Sequence, residues 1–306
     1  MPGEEVAGRR RRWQISPRTR REWWVFVLFA LPNLALITTF TYVPLFTNVY
    51  YSTLNLTIGS ATAVSVGLQN YTTFFTSPNG LAVWRTTAIF TVATVGGSIV
   101  IGLLVSLVLN QNLRGRTVAR AAVFSPYVLS GVGVGLVWLF IFDPVFGVLG
   151  HLLRSVGLTS PEWFLDPDLS LAMVIIVYVW KNLGYCAVVY LAGLQSLPRD
   201  VMEAAALDGA GAFSRFTRIA LPLLSPSTFF LLITCILNSL QAFDLLRIMT
   251  PLGNGTNTLI FEAYLQSFGA YQRAGYSAAI AVVLFAVLLI MTLVQLRFVE
   301  KRVHYA

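Results

Sequence analysis

Six stretches of about twenty mostly apolar residues recur along this chain, and nothing else in it constrains the fold as strongly. A helix rising 1.5 Å per residue needs about 20 such residues to cross a hydrocarbon core about 30 Å thick; a barrel strand needs about half that and alternates in polarity. Lipid offers no partner to a free amide, so each run is predicted to close its own hydrogen bonds as a transmembrane helix. Charge supports this: only 11 % of residues are charged, against about 25 % in soluble domains, and mean hydropathy is +0.72. The expected class is an all-α polytopic membrane protein with six transmembrane helices.

The predicted spans run from Trp24 to Tyr50, Thr86 to Asn110, Ala121 to Phe142, Leu169 to Leu194, Leu221 to Phe243 and Gly275 to Leu296. They divide the chain into a basic tail (1–23), a six-helix transmembrane domain (24–300) with a polar inset at 197–222, and a short tail (301–306). Ser52–Trp84, Asp143–Asp168 and Asp244–Arg273 are expected as loops, the last carrying a Pro251-Leu252-Gly253-Asn254-Gly255 turn signal. Gly131, Gly133 and Gly135 give the third span a small-residue surface that another helix could approach. The apolar run after the arginine-rich start is read as a retained helix. It is too long for a signal peptide, contains Pro32, lacks a small-residue cleavage pattern and is followed by five more spans.

Six spans put both termini on one side. Of the lysines and arginines outside the spans, sixteen fall on that side and only Arg85, Arg154, Arg247 and Arg273 on the other, so the termini and the 197–222 segment are expected in the cytoplasm. The seven arginines before the first span suit topology and anionic lipid better than nucleic acid, because no aromatic-interleaved basic groove follows them.

Several chemistries are excluded. The only lysines, Lys181 and Lys301, follow Trp180 and Glu300 rather than glycine, so there is no phosphate-binding P-loop. His151 and His304 are the only histidines, which leaves no multi-histidine metal site and no Ser-His-Asp arrangement. No metal and no catalytic residue is expected. Cys186 and Cys235 lie inside spans with neither CxxC spacing nor an expected disulfide framework. A stand-alone secondary transporter would need coupling carboxylates within spans, and only Asp143 and Asp244 lie even at their edges.

Polar residues inside the spans are more informative. Tyr178, Lys181, Asn182 and Tyr185 fall at i, i+3, i+4 and i+7 of the fourth span; Thr234, Asn238 and Gln241 fall at i, i+4 and i+7 of the fifth. Each set is one helical face. Lys181 costs on the order of 3 kcal/mol to insert and has no carboxylate in its own span. It reads either as a cation lining a polar path or as a side chain that snorkels or pairs with a neighbouring subunit. Between these spans, the run to Asp208 reads as a short alanine-rich helix ended by Gly209 and Gly211. A second helix follows, with Phe213, Phe216 and Ala220 on one face and Arg215 and Arg218 on another.

Glu203-Ala204-Ala205, Asp208-Gly209-Ala210, Phe216, Ile219, Leu221-Pro222 and Pro226 together resemble the EAA loop of permease subunits in bacterial ATP-binding-cassette importers. Gly67-Leu68-Gln69-Asn70-Tyr71, Phe243-Asp244-Leu245-Leu246, Met249-Thr250 and the ending Val294 to Tyr305 are similar to the sugar and glycerol-phosphate permeases within that family. The resemblance implies a type I importer permease fold in the bacterial inner membrane, with Glu203, Ala204, Ala205, Asp208, Gly209 and Phe216 docking on a separate ATPase. It implies as partners a second permease subunit, two ATPase subunits that hold ATP and magnesium, an extracytoplasmic solute-binding protein and a small-molecule solute, with no cofactor in this chain. The implied solute is glycerol-3-phosphate or a glycerophosphodiester such as glycerophosphocholine, with a maltose- or trehalose-type oligosaccharide as the alternative. In the maltose relatives polar residues on the two spans flanking this loop hold the sugar, which by resemblance are Tyr178, Lys181, Asn182, Tyr185, Thr234, Asn238 and Gln241 here. A lysine departs from the maltose pattern and would suit a phosphate.

Overall fold

The computed structural model describes residues 17–60, 62–111 and 114–299. The tail up to residue 16, Asn112 and Leu113 of the basic loop, and the 301–306 tail lie outside the described residues. The N-terminal unit, through Tyr50, is a helical rod: α1 (Pro17–Ile37), a π-helical turn (Thr38–Tyr42) and α2 (Val43–Tyr51, one residue past the unit boundary). The wide turn immediately precedes Pro44, which has no N–H to return to Phe40.

The second unit begins with a two-stranded antiparallel ribbon, β1 (Leu54–Asn55) and β2 (Val64–Ser65), with Leu54 opposite Ser65. Asn70 clamps it by donating to the Ser52 and Leu54 carbonyls at 2.9 Å each. Then come α3 (Gln69–Thr76), α4 (Pro78–Leu109), α5 (Arg116–Val128), α6 (Gly131–Phe142), α7 (Val148–Ser155) and α8 (Pro167–Gln195). Ser77 caps α4 by accepting from Gly80 N at 3.1 Å, and Asp166 caps α8 by accepting from Asp168 and Leu169 N. The polar inset forms α9 (Arg199–Leu207), α10 (Ala212–Arg215), a π-helical turn (Phe216–Ala220) and α11 (Leu221–Leu223). The chain ends in α12 (Ser225–Leu240), α13 (Asp244–Met249), α14 (Leu259–Phe268) and α15 (Ala274–Val294), with a last π turn at Gln295–Val299.

Among the described residues five helical stretches are long and apolar enough to span a membrane: Glu22–Tyr51, Pro78–Leu109, Pro167–Gln195, Ser225–Met249 and Ala274–Arg297. The third expected span differs. Ala121 to Phe142 is not one helix, because α5 and α6 meet at 100° across Leu129 and Ser130, both extended. Pro126 lacks a donor and three glycines follow within nine residues, so a continuous helix is disfavoured here. The fifth span also starts late and bends, with Leu224 separating α11 from α12 between Pro222 and Pro226.

The expected loop at Asp244–Arg273 is instead two helices packed into the core. The buried face of α14 carries Leu259, Glu262, Ala263 and Gln266, a helical i, i+3, i+4, i+7 set that a hydropathy profile misses because half of it is polar. Glu262, 2 % exposed, accepts from Asn79 (2.9 Å), Asn257 (2.7 Å) and Gln266 (2.6 Å), and Gln266 accepts two bonds from Arg273. Every carboxylate lone pair left without water must find such a donor.

Within the second unit α8 packs against α4, α5, α12 and α13. Missing side chains let two of them come close: a Cβ on Gly102 of α4 would lie 2.5 Å from Cys186 Cβ, and one on Gly184 of α8 would lie 2.0 Å from the Val123 carbonyl oxygen of α5. The glycine stripe of α6 is used in part. Gly131 and Gly135 back onto Asp244 and Ile248 of α13, whereas Gly133 meets nothing within 4 Å. Gly184→Ala is expected to force α5 off α8 and cost about 1–3 kcal/mol, lowering the thermal midpoint in detergent. Gly96→Ala, on α4 with no atom within 4 Å of the added carbon, is expected to leave the midpoint level or higher.

Candidate functional site

The two polar stripes face each other. A cavity of about 460 Å³ opens between α5–α6, α8 and the α12–α13 corner, and its lining includes Tyr178, Lys181, Asn182, Asn238 and Gln241. Five of the seven expected path residues therefore share one cavity. The other two form a crossbar beside it, with Tyr185 donating to Thr234 Oγ1 at 3.4 Å between α8 and α12. Asn238 and Gln241 are exposed, while Tyr178, Lys181 and Asn182 are half-buried.

Lys181 is held inside its own chain. Its Nζ donates to the Tyr127 carbonyl at 3.0 Å and lies 5.5 Å from the centre of the Tyr127 ring. In an unbroken helix that carbonyl would accept from residue 131; the bend after Val128 frees it, and the lysine supplies the donor at the negative end of the α5 dipole. The expected choice between a path-lining cation and one paired with a neighbouring subunit gains a third element, a helix cap. One of three ammonium donors is used, which leaves two for a ligand. The Tyr127 ring stacks on Tyr185 at 4.8 Å, and Asn182 donates to the Tyr178 carbonyl one turn back at 2.8 Å.

Tyr127, Gly131 and Asp244 also line the cavity and were missed as site residues. Asp244, exposed at the start of α13, brings a carboxylate into the cavity that holds Lys181, without an ion-pair contact between them. In the sequence Asp244 stood at a span edge and in the Phe243-Asp244-Leu245-Leu246 run, and Gly131 stood in the glycine stripe of the third span. Tyr127 carried no such signal, because its part depends on a backbone break.

The hinge between α9 and α10 has a specific geometry. Gly209 N donates to Ala206 O (3.2 Å) and Ala210 N to Ala205 O (3.0 Å), the paired bonds of a Schellman cap, which requires the left-handed φ of +80° found at Gly209. Ala204, Asp208 and Gly209 are exposed and Ala205 half-buried on this knuckle. Glu203 and Phe216 instead line a second cavity of about 920 Å³, formed with Asn110, Arg116, Gln195 and Arg215.

The face expected for Phe213, Phe216 and Ala220 does not hold together: Phe213 is 80 % exposed, whereas Ala220 is buried. Arg215 and Arg218 also part, since Arg215 lines the cavity and Arg218 is exposed. The π turn at Phe216–Ala220 is the reason, because its wider i→i+5 winding shifts every later residue off the 3.6-residue face. Leu207, 89 % exposed, and Phe213 bracket the hinge.

Residues 98–305 match the family described as "Binding-protein-dependent transport system inner membrane component". The chain is 34 % identical over 281 residues to the sn-glycerol-3-phosphate transport system permease protein UgpA of Brucella abortus biovar 1 (strain 9-941), covering 90 % of this chain and 94 % of that protein. It is 33 % identical to the protein of the same name from Agrobacterium fabrum (strain C58 / ATCC 33970), covering 91 % and 95 %. A chain of the bacterial alginate ABC transporter, solved with an alginate pentasaccharide-bound periplasmic protein, superposes with a TM-score of 0.79 at 20 % identity over 91 % of this chain and 94 % of that one. That likeness concerns the fold alone.

Two outcomes follow from these geometries. Lys181→Met removes a charged donor worth about 1.5–3 kcal/mol, so the thermal midpoint should fall by several degrees, while Gln241→Leu, exposed in the same cavity, should leave it in place. Equal midpoints for the two variants would dismiss the cap. Gly209→Ala forces a side chain into the left-handed region at about 1–2 kcal/mol, expected as roughly 5- to 30-fold faster amide exchange at the α9 C-terminus. Gly211→Ala, at φ −63° with open space around it, should change nothing.

Proposed function

This chain belongs to the family of binding-protein-dependent transport system inner membrane components, and from that membership we propose that it is one transmembrane subunit of an ATP-driven importer. It forms half of the translocation path for glycerol-3-phosphate or a glycerophosphodiester such as glycerophosphocholine. The observation that carries the reading is the convergence of the polar stripes of α8 and α12, the two helices that the hinged segment joins in sequence, on one cavity. Movement of the hinged pair has a short covalent route to the cavity walls.

Energy comes from outside the chain, which has no P-loop: ATP and magnesium are held by two partner ATPase subunits. Glu203, Ala204, Ala205, Asp208, Gly209 and Phe216 are the docking residues, and the excess of arginine on their side supports a cytoplasmic position for them and for the termini. Closure of the ATPases rocks the spans between inward-open and outward-open states, and an extracytoplasmic binding protein delivers the solute. Asn238, Gln241 and Asp244 are polar yet exposed in the Ser225–Met249 span, and lipid is a poor neighbour for them. A second permease subunit covers them and supplies the other half of the path.

The names of the relatives support a phosphorylated solute, and Lys181 retains donors for it. A neutral oligosaccharide is the second reading, favoured by the uncharged hydrogen-bonding side chains Tyr178, Asn182, Asn238 and Gln241. Vesicles containing the whole complex, loaded with ATP and offered glycerol-3-phosphate, glycerophosphocholine, maltose and trehalose, should accumulate the first two. Accumulation of only the sugars would transfer the assignment to the second reading. Glu203→Lys should abolish uptake with the subunit still inserted, and wild-type uptake in that variant would remove Glu203 from the coupling surface.

A further inference from the structure

The only two cysteines of the chain lie 49 residues apart in sequence, on α8 and α12, with their sulfur atoms 3.6 Å apart. Both are buried, in a cluster with Val95, Tyr190, Leu224 and Leu231. Gly102 of α4 backs Cys186 so closely that a Cβ there would lie 2.5 Å from Cys186 Cβ, so α4 packs directly behind this residue. Polar contacts fix the register of the two helices on either side of the thiols: Tyr185 to Thr234 at 3.4 Å and Tyr190 to Thr228 at 3.0 Å. Everything between Cys186 and Cys235 in sequence is the end of α8, the hinged pair and the start of α12.

We infer that Cys186 and Cys235 are a reversible thiol–disulfide site that closes the hinged segment into a covalent ring and clamps α8 to α12 at its base. The surroundings select the reagent. Ionised species are excluded from an apolar cluster, so the oxidant is an uncharged, lipid-soluble two-electron acceptor of the quinone or diazene class. The two thiols give up two protons and two electrons, an S–S bond forms, and a quinone leaves as the quinol. A permeant dithiol reverses the step: entering neutral, it passes its proton to the sulfur it displaces as it attacks, and after the second exchange it leaves as a cyclic disulfide with both cysteines as thiols. With α8 and α12 joined beside the cavity they line, they can no longer slide past each other, and the transport cycle stops.

The effect on uptake rests on the importer reading above; the thiol chemistry does not. The test uses the complete complex in vesicles, treated with diamide, a permeant diazene, then denatured and alkylated with N-ethylmaleimide. Mass spectrometry of this chain should find alkylated thiols reduced from two to none, a peptide joining Cys186 to Cys235, and recovery of both thiols with dithiothreitol. ATP-dependent uptake should fall at least tenfold with the oxidant and return with the reductant, while Cys186→Ala and Cys235→Ala keep their uptake in diamide. Two thiols still alkylated after oxidation would overturn the site, and a complete cross-link with unchanged uptake would overturn the clamp. If the alanine variants do not assemble, the thiol count and its reversal in the unmutated complex decide the matter.

Discussion

A backbone carbonyl freed inside an apolar bundle must be given a donor, and the contact between Lys181 Nζ and the Tyr127 carbonyl at 3.0 Å does this at the 100° bend between α5 and α6. Without it, the end of α5 would lose a charged donor to its carbonyl, at a cost of about 1–3 kcal/mol. With it, α5 and α6 can meet at 100°, and the space vacated by a straight helix becomes one wall of the polar cavity. The same residue thus holds the bend and supplies the cavity's cation, which explains why a lysine is tolerated so deep in an apolar span.

The same requirement recurs wherever a span departs from regular helix. Buried Glu262 collects three amide donors from α4, α14 and the turn before it, and Asn70 spends both of its amide bonds on the carbonyls of the short ribbon. These polar clamps tie non-helical stretches to the bundle. The Gly67-Leu68-Gln69-Asn70-Tyr71 run is of this kind, with Tyr71 and Ser52 hydroxyls 2.6 Å apart.

α8 joins the separate parts of the mechanism. One turn faces the cavity through Lys181 and Asn182, the next meets α12 through Tyr185 and Cys186, and its end leads within four residues to the hinged pair. Close approach of α4 and α5 at Gly102 and Gly184 leaves it little freedom to bend. The hinge, by contrast, rests on one left-handed residue, Gly209, and is followed by a π turn that takes buried Ala220 off the face of exposed Phe213.

Helical spans, the cationic bias and the two polar stripes were all legible in the residues, because each follows from a local rule: lipid demands internally bonded backbone, and a helix repeats every 3.6 residues. Gly209 was readable for the same reason, since a helix ending on glycine is a local event. What the residues could not display was any feature that needs two distant segments at once. The break at Leu129–Ser130 matters because Lys181, more than fifty residues later, can cap it; α14 folds because Asn79 and Arg273 satisfy its polar face; and Cys186 meets Cys235 only because α8 and α12 pack side by side. Local periodicity determined which faces were polar. Tertiary packing decided what those faces meet, since pairing energies between remote groups exist only after the chain has brought them together.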